Sequence, residues 1–212
     1  MCSRLCFGYA PWCVSSVDLA LLERWRAGDV KAGEELFARH FESIYSFFET
    51  KCEAEADELV QATFLACVRA RDQFRNDSSF RTYLFTIARH ELYRLLRNRH
   101  RDNERLDFEL SSIAELVSTP GTRAARNQEH RRLLEALQRL PVAQQTLLEL
   151  HYWEDMDIGE LAEVFDVTAT TIRTRLYRAR NALRAVIADV APVGALETLE
   201  SMDAWARALV RQ

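Results

Sequence analysis

Residues 157–183, DIGELAEVFDVTATTIRTRLYRARNAL, read as two short helices meeting at a tight turn, and they constrain the chain more than any other stretch. Asp157 is a good N-cap, and Glu160 three residues on completes the reciprocal pattern of a capping box. Ile158, Leu161, Ala162 and Phe165 fall at i, i+3, i+4 and i+7, which makes one apolar stripe. The turn is Phe165-Asp166-Val167, and aspartate is among the few non-glycine residues that tolerate the left-handed conformation such a turn needs. Thr168 is placed to cap the next helix, with Val167 and Ile172 at the two positions of a hydrophobic staple. The second helix is expected from Thr168 onward, with Ile172, Leu176, Ala179 and Leu183 on its core face. Its opposite face carries Thr170, Thr174, Tyr177 and Asn181, flanked by Arg173 and Arg178. No acid interrupts 168–184, whereas Arg173, Arg175, Arg178, Arg180 and Arg184 are all cationic. Such a helix fits the DNA major groove, its first residues near base edges and its later arginines over phosphates.

A formal net charge of −4 over 212 residues opposes a DNA binder until the charge is divided by region. The bases gather in 81–105 and 173–184 while most of the acids lie elsewhere, so local patches decide the partner. With 48% hydrophobic residues, four prolines and six glycines, the composition suits a soluble, largely helical protein of one or two small domains. Cys2, Cys6, Cys13, Cys52 and Cys67 are odd in number and form no Cys-x-x-Cys pair, which argues against a disulfide framework. The first three could form a thiolate cluster or redox sensor, but a frayed N-terminal extension is the reading preferred. Residues 1–16 lack the long apolar core of a signal peptide and no run reaches membrane-spanning length, so a cytoplasmic protein is expected.

Apolar spacing predicts helices over 18–27, 31–51 and 54–74. The second should turn Leu36, Phe37, Phe41, Ile44, Tyr45 and Phe48 inward, and the third should carry Leu59, Val60, Phe64, Leu65 and Val68 on one side. The start of that third helix, Ala56-Asp57-Glu58-Leu59-Val60-Gln61, sets polar groups beside an apolar edge, as a docking surface would. A polar loop, Arg75-Asn76-Asp77-Ser78-Ser79, follows between Phe74 and Phe80, and Ser79 or Ser78 caps a long helix to about residue 101. Leu84, Ile87, Ala88, Leu92 and Leu95 should pack inward, leaving Thr82, Thr86, Arg89, His90, Tyr93 and Arg97 outward. Bases interleaved with an aromatic beside a phenylalanine-bracketed loop suit single-stranded DNA, which needs phosphate pairing and a surface for an unstacked base. Residues 102–127 lose the long stripes and read as a linker with one helical turn near 112–117. Helices over 129–140 and 143–153 then lead into the helix-turn-helix, and 188–212 end in an amphipathic extension.

The order of these parts resembles a bacterial RNA polymerase sigma factor of the extracytoplasmic-function group. The likeness covers roughly 18–187 and rests on Ala27-Gly28-Asp29, the 56–61 run with Phe64, Phe80-Arg81-Thr82-Tyr83-Leu84 with Ile87-Ala88-Arg89, and Leu140-Pro141. It rests also on 158–162 and on Thr171-Ile172-Arg173-Thr174-Arg175-Leu176 with Arg178-Ala179-Arg180. The resemblance implies an all-α protein of two small helical domains joined by a flexible linker: region 2 over 18–104, linker over 105–128 and region 4 over 129–187, flanked by extensions 1–17 and 188–212. It implies a non-enzymatic subunit, without cofactor or metal, that binds core RNA polymerase through Asp57, Glu58, Gln61 and Phe64. Melting and holding of the minus-ten element would fall to Arg75, Asn76, Ser78, Thr82, Tyr83, Thr86, Arg89, His90, Tyr93 and Arg97. The minus-thirty-five element would be read by Thr170, Arg173, Thr174 and Tyr177, with Arg175 and Arg178 on phosphates.

Tyr83 stands where the family usually has tryptophan, His90 where asparagine is common, Arg94 where aspartate is common, and Asp166 in place of a usual glycine. Sigma factors of this group are commonly held inactive by an anti-sigma partner, and the tail 188–212 is a candidate regulatory segment. A free-standing regulator of duplex DNA stays open as an alternative; it accounts for the helix-turn-helix but not for the 57–64 edge or the 74–80 loop. An enzyme is disfavoured, because His40, His90, His100, His130 and His151 form no ligand pair and there is no phosphate-cradling glycine loop or nucleophile elbow.

Overall fold

The computed structural model describes residues 16–74, 78–100, 106–117 and 128–190. These form nine α-helices: α1 Ser16–Arg26, α2 Val30–Cys52, α3 Ala56–Ala70, α4 Phe80–Arg99, α5 Ile113–Leu116, α6 Gln128–Gln138, α7 Val142–Tyr152, α8 Ile158–Phe165 and α9 Ala169–Val190. Short 3-10 turns at Glu53–Glu55 and Arg71–Gln73 bracket α3, so the helix expected over 54–74 is interrupted at both ends. Residues 1–15 with Cys2, Cys6 and Cys13, the loop residues Arg75, Asn76 and Asp77, and most of the C-terminal extension, 191–212, lie outside the described residues.

The chain reverses between α1 and α2 at Gly28, whose φ of +101° is a conformation open to glycine alone at little cost. Asp29 then accepts from the Ala32 N–H to cap α2. Gly33 lets α2 approach α1 closely, since a β-carbon there would lie 2.7 Å from the Trp25 ring. Leu22, Leu36, Ile44, Phe48, Phe80, Leu84, Phe85 and Leu92 fill the core of the first domain. Ser79 caps α4 by accepting from the Thr82 N–H at 3.0 Å.

Periodicity mis-sided a few positions. Phe41, expected inward, is 45% exposed, and Leu65 and Val68, grouped on one side of α3 with the buried Leu59 and Val60, are 46% exposed, because α2 and α3 turn those edges away from α1 and α4. Phe41 instead stacks on Tyr45 and on Phe64 across the α2–α3 surface. Thr63 and Cys67 occupy the inward side of α3. In the other direction, Thr82 and Tyr93, expected on the outer face of α4, are buried. Helix pattern within one domain does not register what the other domain covers.

That cover comes from the second domain. Helix α8 packs along α4, the end of α2 meets α6 and α7, and one continuous apolar core runs from Leu21 to Ile187. The linker contributes too. Its expected helical turn is α5, begun by a full capping box between Ser112 and Glu115. Ser111 and Phe108 carbonyls accept from the Val142 and Ala143 N–H groups at 2.9 and 3.0 Å, tying 108–111 to the start of α7. Among the described residues no helix is long and apolar enough to cross a membrane.

Candidate nucleic-acid interface

The helix-turn-helix is built as its residues dictate. Asp157 accepts from the Glu160 N–H at 2.9 Å, and the Glu160 carboxylate accepts from the Asp157 N–H at 3.1 Å. Asp166 closes α8 at φ 53°, ψ 50°, in the left-handed region. Thr168 accepts from the Thr171 N–H at 3.2 Å and starts α9, one residue later than its cap. Ile172, Leu176, Ala179 and Leu183 are buried, so the register of α9 is set by its core face. Thr170, Arg173, Thr174, Tyr177 and Arg178 consequently face outward, with Tyr177 60% exposed. They form a protruding ridge of hydroxyls, guanidinium groups and one aromatic ring, suited to base edges and phosphates.

The other arginines of α9 are not equivalent. Arg175 is half-buried and pairs with Glu109 of the linker at 3.1 Å. A cleft of about 350 Å³, lined by Glu109, Gln144, Leu147, Arg175 and Arg178, opens beside that pair. Arg180, grouped with the cationic residues by sequence, turns inward: its Nε donates to the Tyr152 hydroxyl at 2.7 Å and its guanidinium lies 5.6 Å from that ring. It holds α9 to α7.

On α4, His90 and Arg97 are exposed, while Thr86 and Arg89 are half-buried. Partial desolvation, then the neighbouring Arg89 cation, holds the His90 imidazole below its ordinary range. Arg89 sits 5.3 Å over Tyr93 and 5.2 Å over Phe165 of α8, a cation sandwiched between aromatic faces of both domains. Tyr93 stacks on Phe108 of the linker at 4.0 Å, and its burial raises the phenol above its usual range. Thr82 donates to Glu160 of α8 at 3.3 Å. Tyr83 is half-buried against Phe74 at 4.6 Å, with Ser78 half-buried nearby in sequence. The expected single-strand surface therefore divides into an open part, His90 and Arg97, a half-buried part, Tyr83, Thr86 and Arg89, and a covered part, Thr82 and Tyr93.

Away from this face, Asp57, Glu58 and Gln61 are exposed at the start of α3. Phe64, half-buried, stacks on Phe37 at 4.6 Å beside exposed Phe41, Leu65 and Val68. An acidic and amide-bearing helix start thus borders an apolar strip, the mixture a protein interface uses. Cys52 and Cys67 are buried thiols pushed up to about 11 and about 12 by desolvation, poor nucleophiles at neutral pH. Among the described residues no group of His, Cys, Asp and Glu could hold a metal ion.

Residues that sequence reasoning passed over lie between the domains. Arg81 reaches Glu154 at 3.9 Å and Glu160 at 3.7 Å. Lys51, at the end of α2, is fully buried and paired with Glu149 of α7. One signal pointed there: Glu149 interrupts the apolar run Leu147-Leu148 and Leu150, where an acid needs a partner.

Comparison with known families places this geometry. The model of Sigma-70 region 2 matches residues 36–102, and that of Sigma-70 region 4 matches 130–183. The ECF RNA polymerase sigma-E factor of Haemophilus influenzae is 27% identical over 170 residues, 76% of this chain and 89% of that protein. The RNA polymerase sigma factor NccH of Alcaligenes xylosoxydans is 29% identical over 166 residues, with 76% and 89% covered. Among solved structures, CnrH in complex with the cytosolic domain of CnrY superposes with a TM-score of 0.63 at 25% identity, over 83% of this chain and all of that one. The Bartonella quintana sigma factor RpoE, solved with the anti-sigma factor NepR, shares the fold at a TM-score of 0.58 and 22% identity, over 73% and 96%.

Proposed function

We infer the task of each surface from the premise that this chain belongs to the sigma factors of the extracytoplasmic-function group, which direct transcription initiation. It works in the cytoplasm as a binding subunit, with no catalytic centre of its own. Core RNA polymerase is engaged by Asp57, Glu58, Gln61 and Phe64, where charge at the helix start fixes register and the Phe64 strip supplies apolar area. The minus-thirty-five element is read from the ridge of α9: Thr170, Arg173, Thr174 and Tyr177 meet base edges, and Arg175 and Arg178 meet phosphates. The minus-ten element is held as a single strand by Arg75, Asn76 and Ser78 and by Thr82, Tyr83, Thr86, Arg89, His90, Tyr93 and Arg97 of α4. A base leaving the duplex gives up a few kcal/mol of stacking, which aromatic and guanidinium contacts offset. An anti-sigma factor is expected among its partners, as the Bartonella quintana RpoE is found in complex with the anti-sigma factor NepR.

The observation that carries this reading is the outward ridge of α9, held in register by the Asp157–Glu160 box, the Asp166 turn and the buried apolar residues Ile172, Leu176, Ala179 and Leu183. The test is run-off transcription with purified bacterial core polymerase on a promoter library. Discrete starts should appear only with this protein and disappear when Glu58 and Gln61 are both changed to lysine. A footprint on duplex DNA by the protein alone, with no new starts, would replace this reading with a free-standing regulator.

A further inference from the structure

Three groups of contacts join the halves of the molecule. At the end of α2, Lys51 has no exposure to solvent, and its ammonium donates to the Glu149 carboxylate of α7 and to the Phe47 carbonyl, the latter at 2.8 Å. The same ammonium lies 3.8 Å from the Phe47 ring centroid. Thr50 donates to the Glu149 Oε2 at 3.3 Å, Gln145 donates to its Oε1 at 2.7 Å, and Gln138 of α6 donates to the Thr50 carbonyl at 2.8 Å. Along α4, Arg81 and Thr82 meet Glu154 and Glu160, and Arg89 is capped by Phe165. In the linker, Phe108 covers the Tyr93 ring and Glu109 engages Arg175 of the recognition helix.

These contacts fall on the residues that would touch the melted strand. Thr82 is 1% exposed and Tyr93 is 8% exposed, so neither can meet a base while α8 and Phe108 stay in place. We propose that the buried Lys51–Glu149 pair with its Thr50, Gln138 and Gln145 partners is the latch that holds α2 to α6 and α7 and so keeps α8 and Phe108 over Thr82 and Tyr93. This rests on the assignment of α4 to the single strand.

A latch made of a buried ion pair has a useful energetic shape. Each charge is tolerable only with the other present, because a lone buried charge carries its full desolvation cost. Removing either partner should drive the surfaces apart to reach water, whereas removing both leaves apolar surfaces that can stay together. Opening need not unfold either half, since each has its own packed helices: α1 to α4 around Leu36 and Phe48, α6 to α9 around Leu147 and Leu176. Opening would also exchange internal partners for DNA. Arg89 would trade Phe165 for a base or phosphate, and Tyr93 would trade Phe108 for a base of similar stacking area.

The experiment uses the full chain as wild type, Lys51→Met, Glu149→Met and the double variant. Small-angle scattering gives the radius of gyration, and fluorescence anisotropy gives affinity for a labelled single-stranded oligonucleotide copied from the minus-ten region of a promoter found by run-off transcription. Each single variant should expand the molecule and bind the strand at least about tenfold tighter than wild type without polymerase. The double variant should return to the wild-type size and weak binding. Single variants as compact and as weak as wild type would overturn the latch, as would a double variant as open as the singles. Should the single variants lose helicity by circular dichroism, Glu154→Gln with Glu160→Gln replaces them. It removes the acids facing Arg81 while keeping an amide in the α8 capping box, and unchanged size and binding there would overturn closure. Size is read independently of transcription. Expansion and closure as described, with no core-dependent starts from any form, would reject the promoter-selecting role and leave the latch standing. Normal starts with no change in size would do the reverse.

Discussion

Asp166 holds a backbone conformation that costs most side chains about 1–2 kcal/mol, and it does so at the one turn on which the reading helix depends. Changing it to valine should destabilise the second domain by roughly 1–3 kcal/mol, because a β-branched residue fits the left-handed region poorly, while Asp166→Gly should not destabilise. Urea unfolding of both variants checks this. A second single-residue effect is set by pH. His40 is half-buried, 3.0 Å from Asp18 and against the Phe80 ring, and desolvation lowers its imidazole below the ordinary value despite the opposing pull of Asp18. The unfolded chain therefore takes up the proton first as pH falls below about 6.5, and stability is lost below that point, not above it. The wild type should lose more stability than His40→Gln between pH 7 and pH 5.5 in urea titrations at each pH; equal losses would discount the histidine.

Among the elements, α9 shows how one cationic helix divides its labour. Arg173 faces outward and Arg180 faces Tyr152, although both stand in the same run of arginines. Arg173→Ala should relax base preference at one promoter position by about 1–3 kcal/mol, leaving the melting temperature of the protein within a degree or two. Arg180→Ala should lower stability by about 1.5–3 kcal/mol through loss of a charged hydrogen bond, with base preference intact. Promoter-library transcription and thermal unfolding of the two variants separate the outcomes. Helix ends and caps were legible in the sequence because their causes are local: Asp157 with Glu160, Asp166, Thr168, Ser79 and Gly28 all act within a few residues. The exposure of Phe41, and the separation of Leu65 and Val68 from the buried Leu59 and Val60, were not legible because an exposed apolar strip and a buried one have the same period.

Over the whole molecule, the acidic net charge of −4 coexists with a basic ridge, and binding should follow the ridge. Affinity of the polymerase complex for a promoter should fall steeply with salt, and Arg178→Ala should reduce the logarithmic salt slope by about 1 without altering promoter choice. Filter binding over a salt series measures it. The burial of Thr82 and Tyr93 was not legible in the sequence, because it arises from Glu160 and Phe108, partners far along the chain whose own local patterns mark only a cap and a turn. Lys51 was equally silent, a lysine at a helix end that any pattern assigns to solvent.

The Lys51–Glu149 pair spans 98 residues of chain, and Thr82–Glu160 spans 78. A ribosome adds about 5–20 residues each second, so the second partner of the longer span is joined roughly 5–20 s after the first. During that interval the first four helices can already fold while the segment that covers α4 is still being made. Each newly synthesised copy therefore passes through an interval in which Thr82 is already made and Glu160, which covers it in the folded chain, is not.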